Sequence, residues 1–153
     1  MLLTGCSVGP YGSLASKVTY TESAMVVEVY SLGVHLRPGG FDGGASIGHR
    51  QAVYIFPCSV EELRENGAGW HWFHAPLPDG TPLTRAVSSY GLEMETTPYQ
   101  RRVALGYSDQ IETIGPEPGD SILARVFFDR EYPEKTHVFL KEKLDEPQIS
   151  LCR

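Results

Sequence analysis

The sequence predicts a mostly β protein, an antiparallel β-sandwich or small barrel with one short helix. Three observations carry the prediction. Apolar and polar residues alternate with period two over six to eight short segments, the pattern of half-buried strands. Glycine and proline are plentiful, at 16 and 11 of 153 residues, and they punctuate those segments as turns do. Two stretches also coincide, without a gap, when the chain is slid along itself by 58 residues.

Residues 6–16 contain Ser7-Val8-Gly9-Pro10-Tyr11-Gly12-Ser13, a poor helix or strand former that reads as a flexible tether. Residues 17–153 then read as one β-rich domain, large enough to bury a core. Its first strand is Met25-Val26-Val27-Glu28-Val29-Tyr30. This leads into Ser31-Leu32-Gly33-Val34-His35-Leu36, a turn-rich middle at 37–44, and a second arm from Ser46-Ile47-Gly48-His49 to Phe56. The same plan recurs at 83–114, where Ser89-Tyr90-Gly91-Leu92-Glu93-Met94 and Ala104-Leu105-Gly106-Tyr107 overlay the first unit. Residues 25–56 and 83–114 are therefore two antiparallel hairpins of one shape. Gly33 should face Gly48, and Gly91 should face Gly106. Glycines inside strand arms mark a bend or a close backbone approach.

The helix is expected over residues 59–67, with Ser59 as cap, Glu62 completing a capping box and Gly67 as the stop. Trp70-His71-Trp72-Phe73-His74 follows as a short strand, then a proline-rich loop at 76–82. A second such loop covers 116–119, and further strands are expected at 122–128 and 136–140.

Composition excludes some roles. The formal net charge of −6 gives nucleic acid no electrostatic attraction, and no partner of that kind is expected. No internal apolar run approaches the length of a membrane-spanning helix. Catalytic parts are missing too: there is no Gly-x-Ser-x-Gly elbow, no phosphate loop leading into a helix, and no carboxylate pair singled out by spacing. His71 and His74 would point to opposite faces of a strand. His35 and His49 lie on facing arms of one hairpin, but no further ligand completes a metal set. We expect no catalytic residue, no metal and no cofactor. Arg101-Arg102 reads as a solvated basic step.

The aromatic strand is the one candidate binding feature. Trp70, Trp72 and His74 share a face by alternation, flanked by Gly67-Ala68-Gly69 and Pro76-Leu77-Pro78. They suit a platform for a ligand or partner. They suit a core equally in kind, because a buried tryptophan removes much apolar area from water. We expect the core, with the tryptophan face packed inward or into a groove beside residues 76–82.

Leu3-Thr4-Gly5-Cys6 resembles the lipobox of bacterial lipoproteins: an apolar residue, two small residues and a thiol nucleophile. The resemblance implies removal of residues 1–5 as a residual signal segment and lipid modification of Cys6. It implies several acyl chains, since one chain holds a protein only marginally. It further implies the cell envelope, and Ser7 directly after the cysteine goes with delivery to the outer membrane, facing the periplasm. If lipid occupies Cys6, then Cys58 and Cys152 remain, and an oxidising periplasm would pair them. A disulfide closing a loop of that length stabilises by up to about 4.5 kcal/mol. Two unrelated thiols are the alternative. The expected function is a non-catalytic accessory or structural role, binding another envelope component, with an envelope protein as the expected partner. The alternatives are a binder of a small ligand (sugar, peptide or lipid) in an aromatic-lined pocket, and an envelope hydrolase of unfamiliar site.

Overall fold

The structure is a computed structural model that describes residues 6–8, 15–21, 23–37, 40–57, 67–78, 81–98, 100–114, 123–129 and 131–141. Its strands are β1 (Cys6–Val8), β2 (Ala15–Tyr20), β3 (Ala24–Arg37), β4 (Gly44–Pro57), β5 (Gly69–Trp72), β6 (Thr84–Thr96), β7 (Arg101–Thr113), β8 (Leu123–Phe127) and β9 (His137–Lys141). The expected mostly β, antiparallel class is borne out. The main sheet runs β5-β2-β3-β4-β6-β7, and β1 pairs in parallel with the far end of β3. β8 and β9 form a separate ribbon. Among the described residues the main sheet does not close into a barrel; β5 and β7 are its two edges.

Part of the segment expected as a tether is paired. Cys6–Val8 lies beside β3, and Ala15 and Ser16 open β2. The helix expected over 59–67 lies outside the described residues except for Gly67, and the disulfide partners Cys58 and Cys152 lie outside them altogether.

Both predicted hairpins are present. In β3–β4, Gly33 faces Gly48; in β6–β7, Gly91 faces Gly106. The β4–β6 ladder also sets Gly48 against Gly91, so four glycines form one row across four adjacent strands. All four have positive φ, from 100 to 136°. The middle of the row has no room for a side chain. A Cβ on Gly48 would stand 2.2 Å from the Tyr90 carbonyl oxygen, and one on Gly91 would stand 2.1 Å from that of Ile47.

The row is a corner. Arg85 and Glu95 lie 10 residues apart on the same strand, β6, yet their side chains form an ion pair. Ten residues of straight strand span about 33 Å, far beyond the reach of the two side chains. Asp42, in the 3-10 turn after β3, likewise bonds Tyr54 near the far end of β4. The four long strands therefore fold over at the glycines, and the hairpin tips return across one face, the inner one.

Short of the corner, the inner face carries the main core: Val18, Met25, Val27, Val29, Ala52, Tyr54, Phe56 and Val87. Phe41, Ala75 and Leu77 pack over it. The opposite face at this level is closed by the ribbon. Val138, Val126 and Phe128 meet Ala24, Ile55 and Leu83, and Phe128 also meets Val26, Val53 and Ala86. The sheet is thus covered on both sides at its base, the packing of a sandwich. Each fully buried valine or isoleucine there contributes about 1.5–3 kcal/mol of apolar transfer.

Candidate functional site: a buried charge network beneath an exposed apolar face

Strand alternation continues through the corner, but its polarity reverses. The inner face runs Met25, Val27, Val29 and then His35 and Arg37 on β3; on β6 it runs Glu95, Glu93, Ser89 and then Val87. Folding the tip over this face encloses its charges. Asp42 lies at the centre, 1% exposed. Its Oδ1 accepts from Arg50 Nη2 at 2.6 Å and from Arg85 Nη1 at 2.8 Å, and its Oδ2 accepts from the Tyr54 hydroxyl. Arg37 Nε donates to the Asp42 carbonyl oxygen at 3.0 Å. Glu93 Oε1 accepts from Arg50 Nε at 3.0 Å and from Arg37 Nη2 at 3.2 Å. Arg85 continues the chain to Glu95 and Glu112, and Gln100 bonds both of those carboxylates.

The charges balance. Arg37, Arg50, Arg85 and Arg102 stand against Asp42, Glu93, Glu95 and Glu112, with Arg102 Nε 3.8 Å from Glu95. Burial alone would push the Asp42 carboxyl up, but Arg50, Arg37 and Arg85 hold it below the usual carboxylate range. Glu93 is held down likewise, against its burial, first by Arg50. Burial and the neighbouring Asp42 push the Tyr54 hydroxyl up, so it stays a donor. A paired, buried network of this kind positions elements, and removing one partner costs about 3–5 kcal/mol. Each guanidinium and carboxylate in it is paired with an opposite charge.

The outer face beyond the ribbon is the converse. Three cross-strand rows lie on it: Leu32–His49–Tyr90–Tyr107, Val34–Ile47–Leu92–Leu105 and Leu36–Ala45–Met94–Val103. His49 is the one ionisable residue among those twelve positions other than the tyrosines. Leu105 is 85% exposed. Of the 14 exposed large hydrophobics among the described residues, 12 stand on this face; Phe73 and Tyr132 are the others. A contiguous exposed apolar surface of this kind marks an interaction site.

The tryptophans join the same face. Trp70 and Trp72 are 56% and 66% exposed, which overturns the core expectation. The physical reason is position: β5 is a four-residue edge strand, and nothing among the described residues covers its outer side. The two indoles stack at 6.4 Å, and Tyr30 lies 5.7 Å from Trp70. The Tyr30 hydroxyl donates to Glu28 at 2.7 Å. His74 does not join them as alternation implied. Phe73 adopts a φ of 64°, which ends the strand and turns the His74 ring against that of His71, with centroids 5.4 Å apart.

His35 and His49 lie on opposite faces, the first buried and the second exposed. Among the described residues no group of three possible ligands could hold a metal. Cys6 lies in β1, opposite Val34. Arg102, expected to be solvated, is half-buried, bonding Ser108 Oγ at 2.8 Å, while Arg101 is exposed as expected. The charge network escaped sequence reasoning. Its signal was the reversal of polarity across Gly33 and Gly91, where charges take over the face that had been apolar. Comparisons with protein-family models, with characterised proteins and with solved structures find no match to this chain.

Proposed function

We propose that this chain is a non-catalytic accessory protein of the bacterial envelope, held by lipid on Cys6 at the outer membrane and facing the periplasm, and that it acts by presenting its apolar sheet face to another envelope component. The observation that carries this is the division of the two faces. Among the described residues, Asp42, Glu93, Arg37, Arg50 and Arg85 are neutralised by one another inside the folded sheet, whereas leucine, valine, isoleucine and tyrosine are turned outward. Exposing so much apolar surface is costly unless something covers it.

The test is expression from the native gene, with whatever precedes Met1, in a bacterial host. The mature protein should begin at an acylated Cys6 by mass and fractionate with membranes, and Cys6→Ala should abolish the modification. An unmodified Met1 on that product refutes the anchor. A second reading rests on the stacked Trp70, Trp72 and Tyr30, a ladder suited to stacking on a sugar or another flat ligand from an open surface. Quenching of the intrinsic fluorescence by soluble envelope glycans would favour it.

A further inference from the structure

We propose that the component covering the outer face is the lipid bilayer itself, so that the two rows beyond the glycine corner lie in the acyl–headgroup boundary of the membrane. This rests on the reading above that the protein acts at the envelope through this face.

Four features of the face select a bilayer. The rows from Val34 to Leu105 and from Leu36 to Val103 contain no ionisable residue. The row at the corner then brings in Tyr90 and Tyr107, and the row behind it holds Trp72 with Tyr30 before Gln51, Ser88 and Asp109. Thr96 and Arg101 bound the aliphatic rows on the tip side, and toward the base polarity rises in steps, from aliphatic to aromatic with His49 and then to charged, the order of environments met on leaving a bilayer. The face is also convex, since the strands fold away from it, so it offers no groove to a peptide, and of its four strands only β7 is a sheet edge. Three rows by four strands cover roughly 13 by 14 Å of backbone, on the order of 200–400 Å² of surface, well short of the ~800 Å² per partner of a stable dimer. A membrane needs no such area when an anchor already holds the protein to it. Finally, β1 brings the backbone of Cys6 beside these rows: Cys6 stands opposite Val34 and Val8 opposite Leu36 along β3. Acyl chains on Cys6 would start one strand spacing from the aliphatic rows.

Flotation with vesicles of zwitterionic phosphatidylcholine decides the matter, using the full chain carrying Cys6→Ala, so that no lipid anchor contributes. The chain should float with the vesicles, in high salt as in low. Val34→Lys with Leu105→Lys should lower its partition by about tenfold, because two ammonium groups would enter the boundary. Both sites are exposed, so the double variant should keep the parent's circular dichroism and melting temperature. Failure of the Cys6→Ala chain to float, or equal flotation of the double variant, overturns the proposal. So does a dimer that the same two lysines disperse, since the occupant would then be a second copy. Anchoring itself is decided separately by the mass of the mature N-terminus, so either idea can fail while the other stands.

Discussion

At the scale of single residues, environment outranks residue type. Trp70 and Trp72 are the only tryptophans, and their chemistry suits a core. Period-two alternation does place both on one face, but it does not say which face is covered. That depends on the ribbon of β8 and β9, which packs over Ala24, Val26 and Ile55 and not over β5. The arginines show the converse. Nothing local in the sequence marks Arg37, Arg50 and Arg85 for burial, yet each is at most 3% exposed, because the turn after β3 folds Asp42 back over the sheet to neutralise them. The tryptophan placement has a direct consequence. Trp72→Ala should change stability by no more than about 1 kcal/mol, since a half-exposed side chain leaves no closed cavity behind. Acrylamide should quench the native fluorescence strongly. Protection from quencher that vanishes only in denaturant would contradict the exposed position.

At the scale of elements, the two hairpins were legible because a local rule fixes them. Alternation gives the arms, the glycine and proline runs give the turns, and the 15-residue spacing within each glycine pair gives the pairing. The pairing of β4 with β6 was not legible, since it joins the units across the segment between them. That ladder turns two glycine pairs into a single row. The row makes unequal demands on its members. Gly48→Ala and Gly91→Ala should each cost about 2–5 kcal/mol, through strain at positive φ plus a clash with a neighbouring carbonyl. Gly106 has a φ of 100°, but a methyl group added there would meet nothing within 4 Å. Gly106→Ala should therefore cost only the conformational part, about 1–2 kcal/mol. Urea unfolding of the three variants tests the ranking. Equal losses would mean that close packing of the inner strands is not what selects glycine there.

At the scale of the whole molecule, the folded sheet and the buried charges form one cooperative unit. The tip can return over the inner face only if the charges it encloses are matched, so the network's protonation state sets stability. Asp42 and Glu93 have folded pKa values below their unfolded ones, which lie at about 4. Their contribution is therefore fully present above that pH and is lost as pH falls through the folded values. The melting temperature should stay nearly flat from about pH 7 to 5 and drop steeply below about 4. Asp42→Asn should melt lower at neutral pH but show a shallower acid limb. An acid limb identical to the parent's would remove Asp42 from this role.

The glycine row also acts on strands that have not yet found their places. Sliding β4 along β6 by two residues would keep every side chain on its own face, so the apolar pattern alone does not forbid it. Such a slip would set Gly48 against Ser89 or Glu93 instead of Gly91, with a Cβ where the paired backbones now touch. Four glycines in line thus work as an index mark. They specify one alignment of four long strands among several of similar hydrophobic merit, and a misaligned sheet could neither turn the corner nor bring Arg85 to Glu95.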